Sequence, residues 1–130
     1  MLRLRKYAVA VIIVMALAGC STTATFKEVS YKSLALSRIN YDTGMKIVSG
    51  LQSQGIIDKA QRANINVAGN VYMQSHNLAV ESLLAYEKTN LSEDKAKVST
   101  LLEQVKLAYP TFAKLINSFK AGTIPEEFGK

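Results

Sequence analysis

The chain has 130 residues, 16 of them basic and 10 acidic, with one histidine, one cysteine and a formal net charge of +6. Such a length sets one domain with a modest core, and a single cysteine excludes an intrachain disulfide. Arg3, Arg5 and Lys6 supply three of the cations at once, and the remainder are scattered. No clustered basic footprint for nucleic acid is present, and a chain starting at residue 20 would carry 13 basic and 10 acidic residues, about +3.

The first element is a positive cluster followed by an unbroken apolar run, Tyr7 to Ala18, and then small residues at Gly19, Cys20 and Ser21. A charged start, an apolar middle and a small-residue exit describe a secretory signal peptide. The run of 12 residues is short of the roughly 20 that a bilayer core of about 30 Å demands of a spanning helix. Its ending, Leu17-Ala18-Gly19-Cys20, resembles the lipobox of bacterial lipoproteins. The resemblance implies diacylglycerol transfer to the Cys20 sulfur, cleavage between Gly19 and Cys20, and N-acylation of the new terminus, palmitate being a typical chain. The chemistry suits cysteine, whose thiolate is the strongest nucleophile among the side chains. Ser21 rather than Asp follows the cysteine, which in this family implies the outer membrane of a two-membrane host, facing the periplasm. Residues 1–19 are then a removed signal and 20–28 a lipidated tether, ahead of a helical bundle at 29–120 and a flexible tail at 121–130.

The first bundle segment runs from about Val29 to Gln54. Leu34, Arg38, Tyr41, Met45, Val48 and Leu51 recur at spacings of three and four, the helical period. Gly44 interrupts this stripe and is read as a place where a neighbouring helix comes close. Gly55 terminates the segment.

In the second segment, Asp58 stands at an N-cap position with Gln61 three residues on, the capping-box spacing. Ile65, Gly69, Tyr72, His76, Ala79, Leu83 and Tyr86 follow at alternating intervals of four and three. That is a heptad seam, and it predicts a helix over 59–88. Ser92 is the expected N-cap of a third helix, with Glu93 and Asp94 complementing its dipole. Its stripe includes Val98, Leu102, Val105, Phe112, Ile116 and Phe119. Pro110 falls inside the stripe, and proline both removes a backbone donor and disfavours helix at the residue before it. A kink or break there is expected, with a short helix over 111–119, and the tail from Lys120 onward is expected to fray.

No stretch alternates in twos, so no strand is expected. Three helices with short connections predict an all-α fold, a small antiparallel three-helix bundle. Residues 41–65, with Tyr41-Asp42-x-x-Met45, a Gly-Ile turn and a Gln-led helix, resemble small helical proteins of phages and prophages.

Chemistry is sparse. His76 as a base or metal ligand would need partners, and only Asp42 and Glu81 offer carboxylates. A metal site needs three or four ligands, and no second histidine or free cysteine exists. His76 is therefore expected to be a partly buried residue bonded to a tyrosine or a backbone carbonyl. Tyr31, Tyr41, Tyr72 and Tyr86 form a possible partner surface, although boundary tyrosines usually keep the ring inside and the hydroxyl outside. No catalytic residue, metal or cofactor is assigned beyond the lipid on Cys20. The expectation is a non-catalytic binding or structural module, held to the membrane and contacting an envelope protein. The alternatives are a phage-derived lipoprotein that blocks a receptor or modifies the envelope, and a small cell-wall enzyme.

Overall fold

A computed structural model describes residues 25–119, 124–126 and 128. The expected signal, its Gly19–Cys20 junction and the first residues of the tether lie outside the described residues. Three helices follow in order: α1 (Phe26–Ser53), α2 (Lys59–Thr89) and α3 (Ser92–Asn117). They form an all-α three-helix bundle, and α2 and α3 pack most closely. Among the described residues there is no strand.

Helix α1 starts three residues before the expected position. The Thr25 hydroxyl accepts from the Glu28 backbone N–H at 3.2 Å, an N-cap that draws Phe26 into the first turn. Its far end closes through Gly55, whose φ is +70°. The Ile56 N–H reaches the Leu51 carbonyl at 2.9 Å, and the Gly55 N–H that of Gln52 at 3.1 Å. This is a Schellman closure. Helix α2 opens with the expected reciprocal cap, the Gln61 N–H donating to Asp58 at 2.7 Å and the Asp58 N–H to the Gln61 side chain at 2.9 Å.

The α2–α3 connection takes two residues, and Asn90 turns it in the left-handed region at φ 53°. That tight turn corrects the expected cap. Ser92 is already helical, and Leu91 occupies the N-cap position without a side-chain bond. The Thr89 hydroxyl donates to the Asp94 carboxylate instead. Across this end Lys27 donates to the Asn90 side chain at 2.6 Å, so the start of α1 lies beside the end of α2. At the opposite end Arg62 donates to Gln52. Consecutive helices therefore run antiparallel.

Of the kink or break expected at Pro110, the break is not there. Helix α3 is continuous through it, and no separate helix begins at Thr111. An interior proline costs about 3 kcal/mol, yet Tyr109, Phe112, Ala113 and Ile116 around it are all fully buried. Burying a large side chain contributes about 1.5–3 kcal/mol each, so packing outweighs the proline. Lys106, whose carbonyl loses its usual donor, is exposed, and the loss falls toward water.

Part of the tail expected to be flexible is docked. Ile124 is 4% exposed, and the Asn117 side chain donates to its carbonyl at 2.8 Å and accepts from its N–H at 2.9 Å. Tyr109 donates to the Pro125 carbonyl, and the Phe128 ring meets Tyr109 edge-on at 6.0 Å. Two large apolar side chains give this tail something to bury.

The core centres on Phe112. Its ring stacks between Tyr41 and Tyr72 at 5.7 and 5.6 Å. A Cβ added at Gly44 would stand 2.9 Å from it, and one at Gly69 would stand 3.3 Å away. A glycine from each of the other two helices thus makes room for one ring.

Candidate functional site

Helix α1 turns Leu34, Val48 and Leu51 of its expected stripe inward, but small residues share that line with them. Arg38, expected on the stripe, is exposed and pairs with Asp42 at 3.2 Å. Ser30, Ser37 and Gly44 are buried instead, in register with Leu34, Val48 and Leu51. Together with Tyr41 these residues also follow a four-three heptad. Ser37 carries a hydroxyl into the contact with α2, and Gly44 lets Phe112 and Ile116 of α3 come close.

Ser37 is the centre of a polar group. Its Oγ lies 3.0 Å from the Nδ1 of His76, and its carbonyl accepts from the Tyr72 hydroxyl at 2.8 Å. All three residues are buried. Burial lowers the His76 pKa from its ordinary 6.5, and the positive charge of Arg38 adds to the effect. The imidazole is thus held neutral at neutral pH. Burial also pushes the Tyr72 phenol up to about 12, which leaves it protonated. The group is a neutral hydrogen-bonded link between α1 and α2.

The carboxylates offered by the sequence are not gathered around it. Asp42 is engaged by Arg38, whereas Glu81 lines a groove between α2 and α3 with Asp94 and Lys97. His76 borders a different groove, between α1 and α2, with Leu34, Arg38, Val80 and Leu84. Among the described residues no three of His, Cys, Asp and Glu converge on a common point. No described helix is long and apolar enough to cross a membrane.

The four tyrosines do not share a surface. Tyr72 is fully buried, a correction to its expected place on a partner face, because its ring fills the space beside Phe112. Tyr41 is half-buried against the same ring. Tyr86 is half-buried at the far end, edge-on to Phe26 at 5.7 Å with Lys27 over its face at 5.1 Å. Tyr31 alone is exposed, and its hydroxyl faces Glu87, whose bond and charge raise its pKa. Ser37 and Asn40 were passed over by sequence reasoning; the Ser30–Ser37–Gly44 spacing of seven signals Ser37, whereas Asn40 lies off that line.

Two grooves remain as candidate surfaces. The one between α1 and α2 is closed below by the His76–Ser37 link. The one between α2 and α3 is lined by Val67, Ala68, Val71, Ala108 and Leu115, with Asn64 and Thr111 as its polar members. Neither presents a reaction centre built from converging titratable groups. Compared with known proteins, the chain matches no family model, no curated protein and no solved structure.

Proposed function

We propose that this protein is a lipid-anchored envelope protein, attached through Cys20 to the outer membrane and facing the periplasm, where its helical bundle is a non-catalytic binding or structural module. The observation that carries the reading is the order of the first 20 residues. A basic cluster, a 12-residue apolar run and Leu17-Ala18-Gly19-Cys20 stand in register. The bundle begins soon afterwards, with Thr25 capping α1. Five residues from Cys20 to Thr25 span at most about 18 Å, less than half the length of α1, which is about 42 Å. The Phe26–Asn90 end would therefore stay close to the lipid surface. Each buried CH₂ of an acyl chain adds about 0.8 kcal/mol, so two or three chains hold durably where one does not. Attachment confines the protein to a surface and raises its effective concentration toward partners there, a function that requires no reaction centre.

Intact mass and fractionation test this. The purified protein is expected to start at Cys20 and to carry added acyl mass, and Cys20→Ser is expected to abolish both that mass and retention in the membrane fraction. A Cys20→Ser protein that is processed and retained like the original would overturn the reading.

A further inference from the structure

The groove between α2 and α3 is uncovered, and its composition is unusual for a wall in water. Val67, Val71 and Leu78 of α2 are 64%, 53% and 44% exposed along it. Leu101, Ala108 and Leu115 of α3 lie half-buried opposite. Between Ala63 and Val80, α2 runs for 18 residues without one Asp, Glu, Lys or Arg. A protein surface ordinarily carries about a quarter to a third charged residues, and depletion of charge is the compositional mark of an interface core.

We propose that this groove is where two copies of the chain associate, side by side, about a two-fold axis parallel to the helices. Such an axis lays α2 of one copy against α3 of its neighbour in antiparallel order, the relation α2 and α3 already have within one chain. The four helices then close around a shared apolar centre, as in a four-helix bundle. The direction of the axis rests on the proposed lipid anchor, because it keeps both Cys20 residues on one side.

Charge selects a second copy as the occupant. Glu81 on α2 and Lys97 on α3 stand just past the neutral stretch, toward the α2–α3 connection, and both are exposed. Among the described residues the ion pairs are Arg38–Asp42 and Glu103–Lys106, so neither flanking charge is paired among those residues. The two-fold axis brings Glu81 toward Lys97 of the partner subunit, and does so twice. Size agrees with a surface-assisted pair. Eighteen helical residues extend about 27 Å, and two helix widths of about 10 Å each give a footprint of roughly 500 Å² per copy. That is below the roughly 800 Å² per partner of a standard interface, a weak contact that shared attachment to one membrane would strengthen.

The test uses the full-length chain in cells, as two differently tagged copies. One carries Val71→Cys and the other Thr111→Cys, and mild oxidation follows. A disulfide-linked mixed dimer is expected in the membrane fraction, and copies bearing only Cys20 give none. Adding Glu81→Lys to the first copy should cut the linked yield several-fold, and adding Lys97→Glu to the second should restore it. Membrane-bound protein with unchanged helix content and no mixed link would overturn the pairing while leaving the anchor intact. Links confined to pairs of Val71→Cys copies would overturn the antiparallel contact. Mixed links in protein recovered from the soluble fraction would support the pairing and overturn the anchor.

Discussion

Helix α1 meets α2 partly through small and polar residues set between aromatic pairs, whereas α2 meets α3 through large apolar ones. On the first contact Ser37 meets His76 and Tyr72; on the second Tyr72 packs on Tyr109 and Phe112, all of them nearly or fully buried. Helix α1 also buries polar groups that are incompletely satisfied. The Ser30 hydroxyl and the Asn40 side-chain nitrogen are buried with no hydrogen-bond partner among the described residues. Each orphan costs about 1–3 kcal/mol. The α2–α3 hairpin, joined by two residues, is thus the firmer unit, and α1 is seated on it by shape and by the Ser37 link. An uncharged, specific contact of this kind fixes register more than it adds stability.

Phe112 joins all three helices, meeting Tyr41 of α1 and Tyr72 of α2, and its removal gives the largest expected effect. Phe112→Ala should cost about 3–5 kcal/mol, the range for emptying a buried aromatic site, measured as a fall in the urea midpoint. Because the ring touches Gly44, Gly69, Tyr41 and Tyr72, α1 and the hairpin should unfold together in one transition. Retention of most of the stability would mean that the two contacts do not share a core.

A smaller effect separates the two kinds of glycine in α1. Ordinarily Gly→Ala in a helix stabilises by about 1 kcal/mol. At Gly50 nothing lies within 4 Å of an added Cβ, so Gly50→Ala should gain about that much. At Gly44 the added atom meets Phe112 and Ile116 at 2.9 Å. Both neighbours are fully buried, and overpacking costs about 1–3 kcal/mol, so Gly44→Ala should destabilise. Thermal melts of the two variants, moving in opposite directions, check the close seat of α1. Movement in the same direction would argue against it.

The two contacts also differ in how plainly the sequence announces them. The seam of α2 was legible because Ile65, Tyr72, Ala79 and Leu83 stand out at heptad spacing, and the capping box and Gly55 marked their own turns. The seam of α1 was legible at Leu34, Tyr41, Val48 and Leu51 and was missed by one position at Ser37 and Gly44, where Arg38 and Met45 were read instead. Arg38 and Met45 are long and partly apolar, while Ser37 and Gly44 carry no hydrophobic signal, yet only small residues let the helices close. Pro110 misled for a related reason. A local rule forecast a kink or a break, and the burial of Tyr109 and Phe112, which depends on partners distant in sequence, kept the helix continuous. Docking of Ile124 through the Asn117 side chain likewise needs the folded end of α3 before it can be seen. The polar site suffered most, since the Ser37 partner of His76 lies 39 residues away.

The smallest expected effect tests whether that link works as described. His76 is the only histidine, so between about pH 5.5 and 7.5 no other side chain with an ordinary pKa titrates. Its folded pKa is depressed below 6.5, by burial first and by Arg38 second. The unfolded chain therefore binds the proton more readily, and stability must rise with pH across this window. The contribution is fully present above 6.5 and is lost as pH falls toward the folded value. Urea midpoints from pH 7.5 down to 5.5 should decline accordingly, and His76→Gln, whose amide can still meet the Ser37 hydroxyl, should flatten the curve. A wild-type midpoint constant over that range would mean that the imidazole accepts its proton without cost. The α1–α2 contact would then be open to water at its centre, and its difference from the dry α2–α3 contact would disappear.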